Sequence, residues 1–425
     1  REKNMPSITD DYRIDAVLAG SDIRWDPAEA GKPVGLTYSF MSALPVYADP
    51  AQDGNHFSIM TDAQKIAVRE ILTTLSSQFD IRFAEVTDSA ASYGQLRLGN
   101  NAQTTTVGYA YYPDKSVGDN AGDLYINNSP HAAQTTHVAY GTNAYSTLIH
   151  EIGHTLGLKH PGNYNAADSG GDANEGPFLT DVEDSELYSI MSYTPQNQGL
   201  ERINLAPYDY AALSYLYNAK LLNTGDNSYA LTEESGQVVQ TIYDDGGNDT
   251  LDASEINTPV ILNLNVAAPG TLSSVGLTPD GQPAENNLSL GLNTLIEHAI
   301  GGTGNDKLIG NSSSNTLIGN NGDDTLVGQL GTDTMIGGEG SDIFGISNVG
   351  NYIFQDFIPG VDKIGFDIQL GIQNFAQLSP YISGINTQGE DVVVHFVGDV
   401  ASITFVGVLQ QSTVLSAADV IFQAL

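Results

Sequence analysis

From Gly301 onward a glycine returns every nine residues, at Gly301, Gly310, Gly319, Gly328 and Gly337. The sixth position of each unit holds Asp306, Asn315, Asp324, Asp333 and Asp342, and the eighth holds Leu308, Leu317, Leu326, Met335 and Phe344. Five registers that keep a glycine, an acid or amide and an apolar residue in fixed order are a stacked repeat rather than a loop. The expected product is a flattened parallel β-roll. Each unit supplies a glycine turn and a very short strand whose apolar residue points inward. Because successive units alternate sides, Asp306, Asp324 and Asp342 should line one edge and Asn315 and Asp333 the other. Carboxylates and backbone carbonyls stacked in this way suit calcium, which takes roughly six to eight oxygens. A disordered Gly/Asn/Asp linker has no reason to keep the eighth position apolar.

The charge points the same way. The chain carries 51 acidic against 15 basic residues, a formal net charge of −36. Such a charge repels itself in a compact state unless cations titrate it. No basic stripe exists to neutralise phosphates, so nucleic acid is excluded as a partner, and an anionic membrane surface offers no attraction. Cysteine is absent, so stability must come from packing or from metals. No apolar run reaches the roughly 18–20 residues of a membrane span. The start, Arg1-Glu2-Lys3-Asn4, has neither an initiator methionine nor an apolar signal region; a processed fragment of a longer precursor is expected.

Three of the eight histidines fall within His150-Glu151-Ile152-Gly153-His154-Thr155-Leu156-Gly157-Leu158-Lys159-His160. On a helix His150 and His154 leave one face, one turn apart. Glu151 is offset from His150 by about 100°, where it faces a water beside a metal. Gly157 suits a positive φ just past the helix end, and the sharp turn should carry His160 back to the other two. Three imidazole nitrogens with an open position are how catalytic zinc is held. Leu148, Ile149, Ile152 and Leu156 make the helix a core element on any reading, but a core helix does not need these polar residues at these spacings.

Before this motif the pattern predicts a short helix around Tyr12–Leu18 and a strand over Val34–Phe40. Thr61 should cap a helix over about Asp62–Phe79, with Ile66, Val68, Ile71, Leu72 and Leu75 on its buried face. Further strands are expected at Gln95–Gly99, Val107–Pro113 and Gly122–Asn127, the second an edge strand by its terminal proline. Strands followed by the histidine helix give an α+β first domain. A Gly/Asn/Asp-rich loop containing Pro161-Gly162 and Ser169-Gly170-Gly171 follows. Structure resumes at Glu186–Tyr193, and Pro207–Leu216 reads as a closing helix with proline in its first turn. Beyond about Leu222 charged helices stop, and Gly, Asn, Asp and Thr dominate.

Together the two halves resemble the serralysin family of secreted bacterial metalloproteases, within the metzincins. The residues that carry the resemblance are His150 to His160 followed by Pro161-Gly162-Asn163-Tyr164-Asn165, then Ser189-Ile190-Met191-Ser192-Tyr193, then the glycine repeats. They run in the family's order from about Val34 to the C-terminus. The resemblance implies a zincin-like α+β protease domain over residues 1–222 and an all-β parallel roll and sandwich over 223–425. It makes His150, His154 and His160 zinc ligands, Glu151 the general base and Met191 the turn beneath the metal. Tyr193 is then the tyrosine that approaches zinc at rest and stabilises the oxyanion in turnover. The strand carrying Gly108, Tyr109, Ala110 and Tyr111 becomes the cleft edge on which substrate pairs.

For calcium, the resemblance implies an ion shared by Asn223, Gly225 and Asn227 with Asp244, Gly246 and Asp249. A second is held by Gly247, Asp249, Leu295 and Glu297. Within the roll, Gly302, Gly304 and Asp306 pair with Gly319, Asn321 and Asp324, and Asn320, Gly322 and Asp324 pair with Gly337, Glu339 and Asp342. Asn311, Ser313 and Asn315 would pair with Gly328, Leu330 and Asp333. That unit departs from the pattern in its three residues, so its site should be the weakest or empty. Asp356 and Asp362 resemble the family's segment after the roll. The run Ala418-Asp419-Val420-Ile421-Phe422 resembles an uncleaved type I export signal, and it also reads as a last strand.

The implied protein is a secreted, monomeric endopeptidase of broad specificity with one zinc and several calcium ions. Its partners are protein or peptide substrates and a small periplasmic protease inhibitor. A calcium-dependent binding module with a decayed protease half is the alternative, disfavoured because all three histidines, Glu151 and Tyr193 are present. A zinc hydrolase of non-peptide bonds is disfavoured by the strand architecture.

Overall fold

A computed structural model describes the chain except residues 1–7, 26–29, 130–137, 164–175, 196–197, 399 and 411–415. Arg1–Asn4, Tyr164, Asn165 and Ser169-Gly170-Gly171 lie outside the described residues. The chain divides into two compact units, one of residues 1–222 with 238–241 and one of residues 223–237 with 242–425.

The first unit is built on a five-stranded sheet ordered β2-β1-β3-β5-β4. Its strands are β1 (Val34–Phe40), β2 (Ile81–Glu85), β3 (Leu96–Asn101), β4 (Gly108–Ala110) and β5 (Asp123–Asn127). β1, β2, β3 and β5 run parallel, and β4 lies antiparallel to β5 at the edge. β4 is shorter than expected, although Tyr111 N–H still donates to the Asp123 carbonyl at 2.9 Å.

Four helices are described in this unit: α1 (Tyr12–Val17), α2 (Asp62–Gln78), α3 (Asn143–Thr155) and α4 (Pro207–Tyr217). Thr61 caps α2 reciprocally. Gln64 N–H donates to Thr61 Oγ1 at 3.2 Å and Thr61 N–H to Gln64 Oε1 at 2.9 Å, the capping-box pattern. Val68, Ile71, Leu72 and Leu75 are buried as expected, but Ile66 is 54% exposed. It sits two residues from Val68, about 200° round the helix, whereas Gln64 and Ala67 complete the buried stripe. β2 escaped the sequence reading because Ile81-Arg82-Phe83-Ala84-Glu85 carries two charges, one on each face.

In the second unit one nine-stranded sheet and one six-stranded sheet enclose the core. His298–Ile300, Thr316–Asn321 and Thr332–Glu339 stack in parallel in the first. Lys307–Ile309, Thr325–Val327 and Ile343–Ile346 stack in the second. Consecutive repeat units therefore alternate sheets, and in-sheet neighbours are 18 residues apart, as in Leu308↔Leu326. Leu308, Leu317, Leu326, Met335 and Phe344 are all fully buried. This is the expected parallel roll. Val420–Gln423 closes the six-stranded sheet against Lys363–Asp367.

Burial separates two residues of α2 that the sequence placed together. Leu72→Ala should cost about 2–5 kcal/mol and Ile66→Ala less than about 0.5 kcal/mol. Urea titration of the two variants checks this.

Candidate metal centre

α3 carries His150 and His154 on one face and then stops abruptly. Leu158 N–H returns to the Gly153 carbonyl and Gly157 N–H to the His154 carbonyl, both at 3.0 Å, a Schellman ending. Gly157 has φ +104, and a Cβ there would lie 2.2 Å from the Ile23 carbonyl oxygen. No other residue fits, and the turn sends the chain back to His160. His160 Nε2 lies 3.2 Å from His150 Nε2 and 3.1 Å from His154 Nε2.

The outer nitrogens fix what the inner ones offer. His150 Nδ1 is 2.8 Å from the Ile190 carbonyl and His154 Nδ1 is 2.8 Å from the Leu158 carbonyl. An imidazole nitrogen so placed must carry the proton, which leaves each Nε2 as an electron pair aimed at His160. Burial drives His150 down to about 3 and His154 well below its usual range, so both rings are neutral. Two ligands at about 2.1 Å from a tetrahedral ion sit roughly 3.4 Å apart, close to the observed spacings. The residues present fit a zinc ion.

Glu151 is buried beside these rings. A Cβ on Gly108 would lie 2.7 Å from its Oε1 and 2.9 Å from its Cγ, so the bare backbone of β4 sets how close this carboxylate sits. Tyr193 is 52% exposed, and its ring centroid is 4.4 Å from that of His160. Met191 is fully buried, its sulfur 2.9 Å from where a Cβ on Gly153 would be. A cleft of about 440 Å³ runs alongside, lined by Val107, Gly108, Thr147, His150, Glu151 and Tyr193 among others.

Strand alternation divides the edge strand. Gly108, Ala110 and Tyr112 face the histidines, the Tyr112 ring standing edge-on to His154 with centroids 5.6 Å apart. Tyr109 and Tyr111 turn away. Their hydroxyls donate to Asp53 Oδ1 at 2.7 and 3.1 Å. Of the four residues expected to meet substrate, these two present only backbone to the cleft and anchor the strand from behind.

The second unit stacks its acids in columns. Asp306 N–H donates to Asp324 Oδ1 at 2.7 Å, Asp324 N–H to Asp342 Oδ1 at 2.9 Å and Asp342 N–H to Asp362 Oδ1 at 3.0 Å. On the other edge Asn315 N–H donates to Asp333 Oδ1 at 2.9 Å and Asp249 N–H to Glu297 Oε2 at 2.8 Å. The second oxygens of Asp249, Asp324 and Asp333 are buried without a hydrogen-bond partner. Gly302 N–H donates to Asp306 Oδ2 at 2.6 Å. A Cβ on Gly322 would lie 2.1 Å from the Gly304 carbonyl oxygen and one on Gly319 2.2 Å from Asp324 Oδ2. Asn320 and Asn321 pair in register with Gly338 and Glu339, and Gly337 N–H donates to Asp356 Oδ1 at 2.9 Å. A Cβ on Gly328 would lie 2.5 Å from Asp333 Oδ2; Leu330 and Leu295 point their side chains outward.

Upstream, Asn227 N–H donates to Asp249 Oδ1 at 2.7 Å, and Gly246 N–H to Asp244 Oδ1 at 2.9 Å. A Cβ on Gly247 would lie 2.3 Å from the Gly225 carbonyl oxygen. One atom of the Asn227 amide lies 3.1 Å from the Asn223 carbonyl oxygen and 2.6 Å from that of Gly225. With nitrogen there it donates to both; with oxygen there three oxygens converge, as around a cation. The unit expected to be weakest is different. Asn311 Nδ2 donates to the carbonyls of Leu264 (3.1 Å) and Ile296 (2.8 Å), and Asn315 Nδ2 to that of Glu297 (3.2 Å). At this rung side-chain amide N–H groups satisfy backbone carbonyls of neighbouring turns.

Residues 215–413 match the profile of the peptidase M10 serralysin C-terminal domain, and residues 45–203 match metallopeptidase family M12. Metallopeptidase AprA of Pseudomonas marginalis is 30% identical over 72% of this chain and 65% of its own length. Serralysin G of Dickeya chrysanthemi is 31% identical over 72% and 65%, and the serralysin of Proteus mirabilis 30% identical over 68% and 62%. The chain is similar to the serralysin family in both halves. It spans about 65% of the length of the first relatives it matches.

Within this serralysin-like chain, sequence reasoning missed the groups that hold the site rather than form it. Asp53 carried no periodic signal. Asp209 did: it is the third residue of α4, and its Oδ2 accepts from Ala206 N–H at 3.0 Å, the position of a reciprocal cap. Tyr112 was read as part of a strand and not as a neighbour of His154.

The buried columns make a sign-specific prediction for the chain in chelator. Burial pushes Asp324 and Asp333 up to about 7 and Asp342 up to about 6, against about 3.9 unfolded. Between those values the folded state binds more protons, so stability falls as pH rises. The melting temperature of the second unit in chelator should be lower at pH 7.5 than at pH 4.5, as calorimetry can measure.

Proposed function

We propose that the chain is a zinc-dependent endopeptidase that cleaves peptide bonds in proteins, with calcium stabilising its second unit. The observation that carries it is the convergence of three imidazole electron pairs beside Glu151, in a cleft bordered by an open antiparallel edge strand. His150, His154 and His160 hold the metal in this reading. When bound, zinc polarises a carbonyl and lowers the pKa of water to about 7.

The rest of the chemistry belongs to the chain. The β4 backbone pairs with the substrate as an extra strand. Main-chain pairing is blind to side chains, hence broad specificity. Gly108 lets that strand pass directly over Glu151, so the scissile bond and the base share one small volume. The Glu151 carboxylate takes the proton from the attacking water and returns it to the departing amine. The Tyr193 hydroxyl, on an exposed ring beside His160, donates to the oxyanion as it forms.

Calcium in the second unit is supported by the unpartnered carboxylate oxygens of Asp249 and Asp324. At Asn311 and Asn315 the amides supply the hydrogens that a cation would replace, so this rung forms without an ion. Secretion by a type I route rests on the resemblance of the run ending Asp419-Val420-Ile421-Phe422. The monomeric state and a small periplasmic inhibitor as partner are likewise carried over from the family.

Two tests separate the halves. Glu151→Ala should fold and keep its zinc, measured by elemental analysis, while casein hydrolysis falls by at least about 100-fold; appreciable hydrolysis would sink the assignment of the base. Asn315→Asp replaces the donating amide with a carboxylate oxygen facing the Glu297 carbonyl. Calcium titration should find one more ion per chain than in the wild type, and an unchanged count would contradict the amide rung.

A further inference from the structure

His150 and His154 make equal outer hydrogen bonds but end in different places. The peptide that joins Ile190 to Met191 accepts from His150 Nδ1–H at its carbonyl, 2.8 Å away. The same peptide donates its Met191 N–H to Ser189 Oγ at 3.2 Å. The Ser189 hydroxyl in turn donates to Asp209 Oδ1 at 2.6 Å. Asp209 Oδ2 accepts from Ile190 N–H at 2.7 Å and from Ala206 N–H at 3.0 Å. Burial pushes the Asp209 carboxyl up to about 6, and the three donors oppose that push, so it is ionised at neutral pH. Asp209, Ser189 and Met191 are fully buried and Ile190 nearly so, so water does not compete for the links beyond His150.

The path from His154 is shorter. Its Nδ1–H meets the Leu158 carbonyl at 2.8 Å, and the N–H of that peptide, at Lys159, donates to the Val17 carbonyl at 2.7 Å. That chain runs on through neutral peptides, Leu18 N–H donating to the Ile14 carbonyl at 3.2 Å. The one from His150 ends on a buried anion.

Resting on the assignment of His150, His154 and His160 as the metal ligands, we propose that Asp209 is a positioning residue for the metal centre. It acts on His150 through the Ser189 hydroxyl and the 190–191 peptide. When Nε2 gives its electron pair to a cation, positive charge spreads over the ring and the Nδ1–H bond strengthens. A hydrogen-bond chain in a dry interior polarises link by link, so the Asp209 charge favours that state and fixes the ring plane. Groups that hold the second nitrogen of a metal-bound histidine are worth about 10–100-fold in metal affinity. The relay makes His150 the strongest donor of the pair, and it ties the turn under the metal to the first turn of α4.

The test is zinc affinity of the full chain, by competition with a chromophoric chelator. Ser189→Ala removes the hydroxyl link and leaves the two backbone donors of Asp209 in place. Leu213→Val trims the buried face of the same helix without touching the relay. Affinity should fall about tenfold or more in Ser189→Ala and stay at the wild-type value in Leu213→Val. Wild-type affinity in Ser189→Ala, or an equal loss in Leu213→Val, overturns the proposal. A wild type that binds no stoichiometric zinc overturns the ligand assignment and the relay with it. If Ser189→Ala does not fold, the zinc-loaded wild type still decides. In ¹⁵N-histidine spectra the Nδ1 proton of His150 should resonate downfield of that of His154, although both bonds are 2.8 Å long. Equal shifts, or the reverse order, overturn it.

Discussion

Metal-donor atoms held face to face are the constraint on which both units depend. In the first unit they are imidazole nitrogens; in the second they are carboxylate and carbonyl oxygens. Each set is held by the same device. One atom of the group is committed to a backbone hydrogen bond, as in His150 Nδ1 to Ile190 or Asp324 Oδ1 to the Asp306 amide, and the other atom is thereby aimed. Folding fixes the direction of the pair, and a cation removes the repulsion. The rung at Asn311 and Asn315 shows the alternative, in which amide hydrogens do the same work.

Glycine makes these approaches close enough to matter. At Gly157 the need is conformational, since a left-handed residue must reverse the chain against the Ile23 carbonyl. At Gly108 the need is space, because the edge strand must cross the Glu151 carboxylate within contact distance. The strand itself is kept straight by side chains that never face the cleft, with Tyr109 and Tyr111 both bound to Asp53. The edge strand is thus anchored by two tyrosines working from the far side.

Much of this was legible in the sequence, because the decisive features are local. The spacing of His150, His154, Gly157 and His160 specifies a helix, its stop and a return. The nine-residue period specifies two alternating sheets and two columns of acids. What was not legible is relational. Ile66 was assigned to the buried face of α2 because it is apolar, but the stripe is set by where the sheet lies, and Gln64 and Ala67 fill it instead. Nothing in the composition of residues 81–85 outweighed two charges, although pairing with β1 was enough to make them a strand. Asp53 and Asp209 act across 56 and 59 residues of sequence, on Tyr109 and His150, and no periodic signal reaches that far.

The most direct test of the account is the X-ray absorption spectrum of zinc bound to the full chain. The account requires a first shell of three imidazole nitrogens at about 2.0–2.1 Å with one or two oxygens completing it. A shell of two or fewer imidazoles, or one made of carboxylate oxygens alone, would contradict it, because His150, His154 and His160 would then not be acting as a single site.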